Sequence, residues 1–519
     1  MDKERHAIIL EALRSAIGKE NVEDSASVMM AYHRDWLPPG VLNPVLPEFV
    51  TLPNGTEEVQ KVIRICNRYN VPFIPLGSSQ WSLTTAPNRP GTLIIDSKRM
   101  DRILEIDNKN MYAVIEPYVT LAQLLAEANQ RGLYIGTPEA SSQSSALAGH
   151  VFQGMWGVGH RVGVGNRNIL AMEWVLPGGE ILRTGAWAAD PAGRFFGEGP
   201  GTDLRGMLRG LAGAMGGVGM VTKMAVKLHP YPGPKVFPCE GIIPNHTSTL
   251  PPDRFQWYII KYPSIEKAAH AMYEIARAEI GGVLQKLPTV YFNWWWANSN
   301  QEYWETWQEG VWQKHCKYAV EVCLWGFTSA KQLEYEKRVL EDIIRETKGS
   351  LIPQEIFDKW VPRTANNWIR DTNGSRMMRP SGTFLALRLP FDTINSSIGV
   401  CGDGVRWVEK FSPPILDSDG PDWISTCDMG HFGSAETDFP VEKSPEALGD
   451  LMQKLMGMMK EDLSRKIEGG VGPFLGGPYH GMAGTVFSNY GKLLGGIKKA
   501  IDPRTVSNPP HNYPIEGNG

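Results

Sequence analysis

The sequence has no basic run: 52 Lys and Arg against 56 Asp and Glu leave a net charge of −4, so the electrostatic footprint of nucleic-acid or anionic-membrane binding is missing. No apolar stretch reaches the roughly 18 residues that a membrane-spanning helix requires. The six cysteines, Cys66, Cys239, Cys316, Cys323, Cys401 and Cys427, form no CxxC pair. That spacing signals neither a zinc knuckle nor a disulfide framework and fits a reducing, cytoplasmic compartment. The N-terminus MDKERHAIILEALRSAIGKEN mixes acids with bases around a short apolar stretch, the pattern of an amphipathic helix rather than a secretory signal. GxxxxGK[ST] is missing, and GVGHRVG has the wrong third spacing for GxGxxG, which argues against P-loop and Rossmann phosphate sites.

What is present is enough apolar material for a large globular fold. With 519 residues, 42% hydrophobic and 21% charged, the chain exceeds the roughly 250 to 300 residues at which one core stops growing, so two or three folded units are expected. FVTLPNGTEEVQKVIRICNRYNVPFIPLGSS reads as strand, helix, strand, with Thr56 as the cap and Val59, Val62, Ile63, Cys66 and Tyr69 at helical spacing. A second helix is expected over Thr120 to Arg131. Glycines then crowd SSALAGHVFQGMWGVGHRVGVGNRN before the strand LAMEWVLPGGEILRTG, and DLRGMLRGLAGAMGGVGMVTK reads as a helix with a glycine-rich middle. Pro230, Pro232, Pro234 and Pro238 mark a boundary. Beyond it, FQWYIIKYP, PSIEKAAHAMYEIARAE, KYAVEVCLWGF and SAKQLEYEKRVLEDIIRET form an α+β unit. FLALRLPF, DWISTCDMGHFGSAETDF and SPEALGDLMQKLMGMMKEDLSRKI suggest that the unit is laid down twice.

The strand ending in IPLGSSQWSLTTAP places Gly77, Ser78 and Ser79 where backbone N–H groups and hydroxyls can surround a diphosphate. This segment is followed in order by LIIDSKRMDRILEIDNKNMYAVIEPYVT, GVGHRVGVGNRNILAMEWVLPGGEILRTG, EGPGTDLRGML, GMVTK and IKKAIDPRTVSNP. Together they resemble the flavoproteins that include vanillyl-alcohol oxidase and p-cresol methylhydroxylase. The resemblance covers about the first 230 residues and the last 50. It implies an α+β, two-subdomain FAD-binding fold with an inserted α+β, ferredoxin-like cap domain. The expected division is an FAD-binding domain over 1–235, a cap or substrate domain over 236–470, and a C-terminal return over 471–519. Residue by residue, it implies that Pro75, Gly77, Ser78 and Ser79 line the diphosphate, and that Pro138, Ser142, Ser145 and Gly149 lie on the loop passing the flavin. Gly159, Asn166 and Ile169 would pass near the ring, and Val221 would meet the adenine side.

The phenol-oxidising members hold a phenolate with two tyrosines and an arginine, with an acid near the flavin. Here FLGGPYHGMAG keeps Tyr479 and replaces the arginine by His480; the second tyrosine falls at Ser82 and the acid near Val164 and Gly165. Tyr479 and His480, with His160 and Arg161 of the glycine-rich loop, are the candidate catalytic residues. His431 resembles one histidine of the metal-binding strand of related 2-hydroxyacid dehydrogenases, but the second histidine falls at Asp438 and the glutamate at Tyr479, so no metal is expected. VRWVEKFSP offers Val405, Trp407 and Val408 where vanillyl-alcohol oxidase carries its linking histidine, so FAD is expected without a covalent bond. Trp294, Trp295, Trp296, Trp304, Trp307 and Trp312 crowd one expected strand and the helix after it, as cap-domain core and subunit contact or as an aromatic wall over the flavin.

The resemblance implies an FAD-dependent oxidase or dehydrogenase that moves a hydride from a benzylic or alcoholic carbon of a small aromatic, phenol-like substrate to flavin. Oxygen or a redox protein would accept the electrons, and a homo-oligomer is expected. The missing phenol-site groups leave open a 2-hydroxyacid or sugar-alcohol dehydrogenase, or a non-catalytic FAD-binding subunit.

Overall fold

The computed structural model describes residues 1–33, 45–78, 86–136, 142–152, 158–189, 199–210, 213–242, 245–370, 384–387, 391–442, 444–465 and 489–509. Helix Lys3–Ile17 begins where the Asp2 carboxylate accepts the Arg5 N–H, and it buries Ile9, Leu13 and Ile17. They share a core with Val59, Val62, Ile63 and Cys66 of helix Thr56–Tyr69, each large aliphatic group contributing about 1.5 to 3 kcal/mol on burial. Glu57 and Glu58 occupy the first turn of that second helix, and Asn70, at φ +52°, closes it in the left-handed conformation. The cap position itself is Gly55. Thr56 is the first helical residue, and its hydroxyl instead donates to Glu173 at 2.6 Å, tying the helix to the neighbouring sheet.

Two large sheets build the N-terminal half, beside a two-stranded pairing of Leu133–Tyr134 with His229–Pro230. In the four-stranded sheet, Phe49–Thr51 and Phe73–Leu76 run parallel to Leu93–Asp96 on either side of it, and Val22–Glu23 is antiparallel at the edge. The five-stranded sheet is antiparallel, in the order Ile103–Asp107, Tyr112–Ile115, Met220–Lys227, Ile169–Val175, Ile181–Thr184. Helix Leu121–Asn129, capped by Thr120, packs Leu124, Leu125 and Ala128 into the core beside that sheet. The helix expected over the glycine-rich stretch does not form among the described residues. Only Leu204–Met207 makes a 3₁₀ turn, because Gly213, Gly216 and Gly219 take φ of +52°, +72° and +114°, conformations a right-handed helix cannot hold.

An eight-stranded sheet follows, antiparallel throughout the described residues. Its order is Ser350–Leu351, Phe255–Lys261, Ala319–Trp325, Val283–Lys286, Asp422–Cys427, Phe432–Pro440, Phe384–Leu387, with Phe391–Asp392 also on Phe432–Pro440. Helices Ile265–Arg277 and Ala330–Glu346 begin at the serine caps Ser264 and Ser329, and Ile394–Lys410 begins at Thr393. They cover the face that presents Ile260, Leu284, Val322, Ile424 and Ala435. The Trp-rich stretch is not a strand. It forms helices Thr289–Trp296, Asn300–Gln308 and Val311–Cys316. Aromatic and β-branched residues favour strands on average, but a segment apolar on every side is also what a helix sunk in a core requires. Trp294 and Trp295 have no exposed surface.

That core is continuous with the N-terminal half. Trp257, Trp325 and Trp423, on the second face of the eight-stranded sheet, belong to one cluster with Ile115, Tyr134 and Trp174. The Tyr134 and Trp325 rings meet edge to face at 5.4 Å.

Candidate functional site

The strand Phe73–Leu76 ends at Gly77 and Ser78, both half-buried. A Cβ built on Gly77 would stand 3.3 Å from Cβ of Ser145 and 3.5 Å from Cβ of Ala148, so this turn packs directly on helix Ala146–Phe152 and tolerates little more than hydrogen there. The Ser78 hydroxyl accepts the Ser145 N–H at 2.8 Å. Ser145 in turn donates its hydroxyl to the Pro117 carbonyl and accepts the Ala148 N–H, holding the start of the helix that carries Gly149. The Ser142 carbonyl accepts the Ala122 N–H, and the buried Ser144 hydroxyl has no partner among the described residues. A small-residue cradle with an unused buried hydroxyl fits the expected FAD, whose diphosphate needs close backbone approach. Ser79 and Pro138 lie outside the described residues.

The C-terminal return fixes this cradle from behind. Phe73 N–H donates to Val506 and Asn508 N–H to Phe73, so 506–508 runs alongside the cradle strand. Lys498, on helix Tyr490–Ile501, donates to Asp502 at 2.6 Å and to the carbonyls of Gly217 and Ser507. Asp502 also accepts the N–H groups of Val506 and Ser507. Both side chains of the pair are buried, 5% and 0% exposed. Ser507 bonds Gly216 and Gly219, and Gly216 presses on Pro75, which a Cβ would meet at 2.4 Å. Val221, half-buried, continues from that loop in strand Met220–Lys227, paired with Trp174.

The second glycine-rich stretch joins the halves. His160, in the short helix Gly159–Val162, has no exposed surface, and both ring nitrogens are engaged: Nε2 with the Ile280 carbonyl at 3.0 Å and Nδ1 with the Thr426 hydroxyl at 2.8 Å. Burial pushes its pKa down to about 4, against a partial rise from the Ile280 bond, so the ring is neutral at ordinary pH. The Gly159 and His160 carbonyls accept the N–H groups of Asp428 and Met429. Arg161 stacks its guanidinium 4.7 Å from the Phe327 ring centre. Thus His160 and Arg161 are used across the interface. Nearby, the Asn166 carbonyl accepts from Arg209, and the Ile169 carbonyl from the buried Arg205 that Asp203 holds. Val164 and Gly165, where the family's acid would fall, are both buried.

On the opposite side, the eight-stranded sheet offers a polar row inside its aromatic face. Gln285 donates to Glu321 at 2.8 Å and accepts the Trp423 indole N–H at 3.0 Å, while Trp360 and Thr364 donate to the same Glu321 carboxyl. Burial pushes Glu321 above the usual carboxylate range, and these bonds pull it partly back. Ser434, Glu436 and Asp438 continue the row along the next strand, and Asp438 is fully buried. Residue-type spacing passed over Glu321, Glu436 and Tyr291. The signal was present as a period-2 alternation in GSAETDF, polar at 434, 436 and 438.

Tyr479, His480 and Ser82 lie outside the described residues. His431 is exposed in the turn before Phe432–Pro440, not within the strand. Among the described residues no group of three or more His, Cys, Asp and Glu is placed to hold a metal ion. Val405, Trp407 and Val408 lie on helix Ile394–Lys410, where Trp407 and Val408 join a small core with Phe411, Ile415 and Phe439. No helix among the described residues is long and apolar enough to cross a membrane.

Residues 47–185 match the FAD binding domain family. Over 228 residues the chain is 30% identical to glycolate oxidase subunit GlcD of Bacillus subtilis, covering 44% of this chain and 46% of that protein. It is 30% identical over 231 residues to the 4-cresol dehydrogenase [hydroxylating] flavoprotein subunit of Pseudomonas putida, covering 43% and 42%. The matched part is thus less than half the length of these relatives. The fold is that of p-cresol methylhydroxylase, with a TM-score of 0.77 at 15% identity over 100% of this chain and 99% of that one. It also matches 4-ethylphenol oxidase of Gulosibacter chungangensis, with a TM-score of 0.72 at 17% identity over 99% and 98%.

Proposed function

Because the chain carries an FAD-binding domain within the p-cresol methylhydroxylase fold, and so belongs with the FAD-linked proteins of the p-cresol methylhydroxylase and vanillyl-alcohol oxidase type, we propose that it is an FAD-dependent oxidoreductase that oxidises a benzylic or alcoholic carbon of a neutral, phenol-like aromatic substrate. When bound, FAD supplies the hydride acceptor. The chain's own residues do the rest. Gly77, Ser78 and Ser145 hold the diphosphate, and the Lys498–Asp502 staple keeps their strand in place. The role of orienting the substrate oxygen falls to Tyr479 and His480 on the sequence resemblance alone.

The observation that carries the aromatic reading is the composition of the buried sheet face. The Tyr291 ring lies 4.8 Å from that of Trp294 and 5.6 Å from that of Trp423, which in turn lies 5.1 Å from Trp368, and Trp423 pairs in register with Glu436 on the strand that carries Asp438. Aromatic faces suit a planar ring. A second reading, a 2-hydroxyacid dehydrogenase, is favoured by the similarity to the glycolate oxidase subunit.

Anaerobic rapid mixing separates the two. Bleaching of the flavin band by 4-hydroxybenzyl alcohol, with none by glycolate or D-lactate, is expected; the reverse pattern would replace the aromatic reading with the second one. We also propose that FAD is held without a covalent bond, since valine and tryptophan stand at 405, 407 and 408. Acid precipitation should release the flavin into the supernatant. Oxygen or a redox protein as acceptor is read from the rate of reoxidation in air.

A further inference from the structure

Asp438 stands out among the buried acids of this chain. It has no exposed surface, and Tyr291 and Glu436 are the neighbours that reach its carboxyl, with no cation and no strictly aligned donor on either oxygen among the described residues. On the same strand face, the buried Ser434 hydroxyl has no partner among the described residues. A buried carboxyl left in this state costs a fold stability, and such groups collect where chemistry uses them. The strand position is fixed independently: Asp438 N–H donates to the Pro421 carbonyl at 2.8 Å, and the residue pairs with Ala386.

We propose that Asp438 is a catalytic proton acceptor of the oxidation, taking the hydroxyl proton of a neutral aromatic alcohol, with Ser434 and Tyr291 orienting that hydroxyl. This rests on the reading given under Proposed function. In the step, the O–H bond breaks toward a carboxylate oxygen of Asp438 and the C–H bond breaks as hydride toward FAD. The C–O bond becomes C=O, the alcohol loses two electrons, and FAD gains them.

The electrostatics suit the role. Burial pushes the Asp438 pKa up to about 8, contact with Tyr291 and Glu436 lowers it, and the charge of Asp422 raises it. Lys286, on the adjoining strand, donates to the Asp422 carbonyl at 2.7 Å. A base with a pKa near the working pH combines a populated basic form with real proton affinity.

Three measurements on Asp438→Asn in the FAD-loaded full chain test this. The first is the melting temperature from about pH 5 to about pH 9. An acid whose folded pKa is raised binds more protons folded than unfolded, so the wild type loses stability as pH rises toward the folded value. The variant should equal or exceed the wild type at about pH 8, whereas a clear drop there would make Asp438 a structural anchor and overturn the proposal. The second is perturbation of the flavin band by 4-methoxybenzyl alcohol, which does not ionise in this range. Its strength should turn over near pH 8 in the wild type and not in the variant; identical pH profiles overturn the proposal even if no reduction occurs. The third is reduction by the same alcohol, expected to slow by about 10² or more with dithionite reduction unchanged. Equal rates sink Asp438 as the acceptor. A wild type that binds but is reduced only by D-lactate instead sinks the aromatic reading, leaving the first two measurements to decide on Asp438.

Discussion

Two buried carboxylates, one in each large sheet, show opposite treatment. Glu173, in the five-stranded sheet, is 5% exposed and accepts from Lys223 at 2.8 Å, Thr56 at 2.6 Å and Arg183 at 3.0 Å. Burial alone would raise its pKa, but the Lys223 and Thr56 bonds and the Lys223 charge outweigh it and hold the carboxyl below the usual range. Asp438, in the eight-stranded sheet, is buried more completely, meets Tyr291 and Glu436 but no cation among the described residues, and is pushed up to about 8. The first arrangement fastens a helix to a sheet. The second leaves a proton-binding group unspent. Burial of an acid therefore says little until its partners are known.

The sharpest way to extend the contrast is to break the best-satisfied charge in the FAD-binding half. Asp502→Ala strands the buried Lys498 ammonium, whose pKa burial already lowers despite Asp502. A loss of about 3 to 5 kcal/mol in chemical denaturation is expected, with flavin content falling because 506–508 no longer braces the cradle strand. Next comes Gly77→Val. Its branched Cβ must displace Ser145 or Ala148, at about 1 to 3 kcal/mol, and that strain should appear as roughly 5- to 150-fold weaker FAD retention in a folded protein. Glu173→Gln is milder, about 1 to 2 kcal/mol, because Lys223 and Arg183 reach solvent. It carries a pH signature opposite to that of Asp438. The folded pKa of Glu173 is depressed, so its stabilisation is present above the unfolded value and lost as pH falls through the folded one. The variant's deficit should thus shrink in acid. A deficit constant with pH would mean that the Glu173 charge contributes nothing.

Much of this was legible from residue types. The helices at 3–17, 56–69 and 121–129 follow from apolar spacing and caps, and the family likeness follows from the ordered glycine-rich motifs. Where reading failed, a non-local term decided. The Trp-rich stretch becomes a helix because the surrounding core buries every side of it, which no local pattern reports. The stretch after Asp203 loses its helix to a C-terminal segment nearly 300 residues away, through bonds such as Lys498 to Gly217 and Asn508 to Met215. Thr56 looked like a cap and instead reaches across to Glu173. The contacts of His160 and Arg161, read as candidates for chemistry, with Thr426, Ile280 and Phe327 join the two halves and were not legible from residue type.

That contact offers the smallest effect. Arg167 pairs with Asp428 at 2.5 Å, but their side chains are 62% and 29% exposed, so solvent screens the pair and most of its Coulomb gain is offset by side-chain ordering. Arg167→Gln should cost less than about 1 kcal/mol and leave flavin content unchanged. The buried part of the same junction behaves otherwise. Both His160 nitrogens are satisfied away from water, so His160→Leu, of similar bulk, leaves the Ile280 carbonyl unpartnered at about 1 to 3 kcal/mol. If denaturation midpoints rank these two variants in the reverse order, the junction is held by its surface charges and not by the neutral histidine, and His160 becomes available again as a group for chemistry.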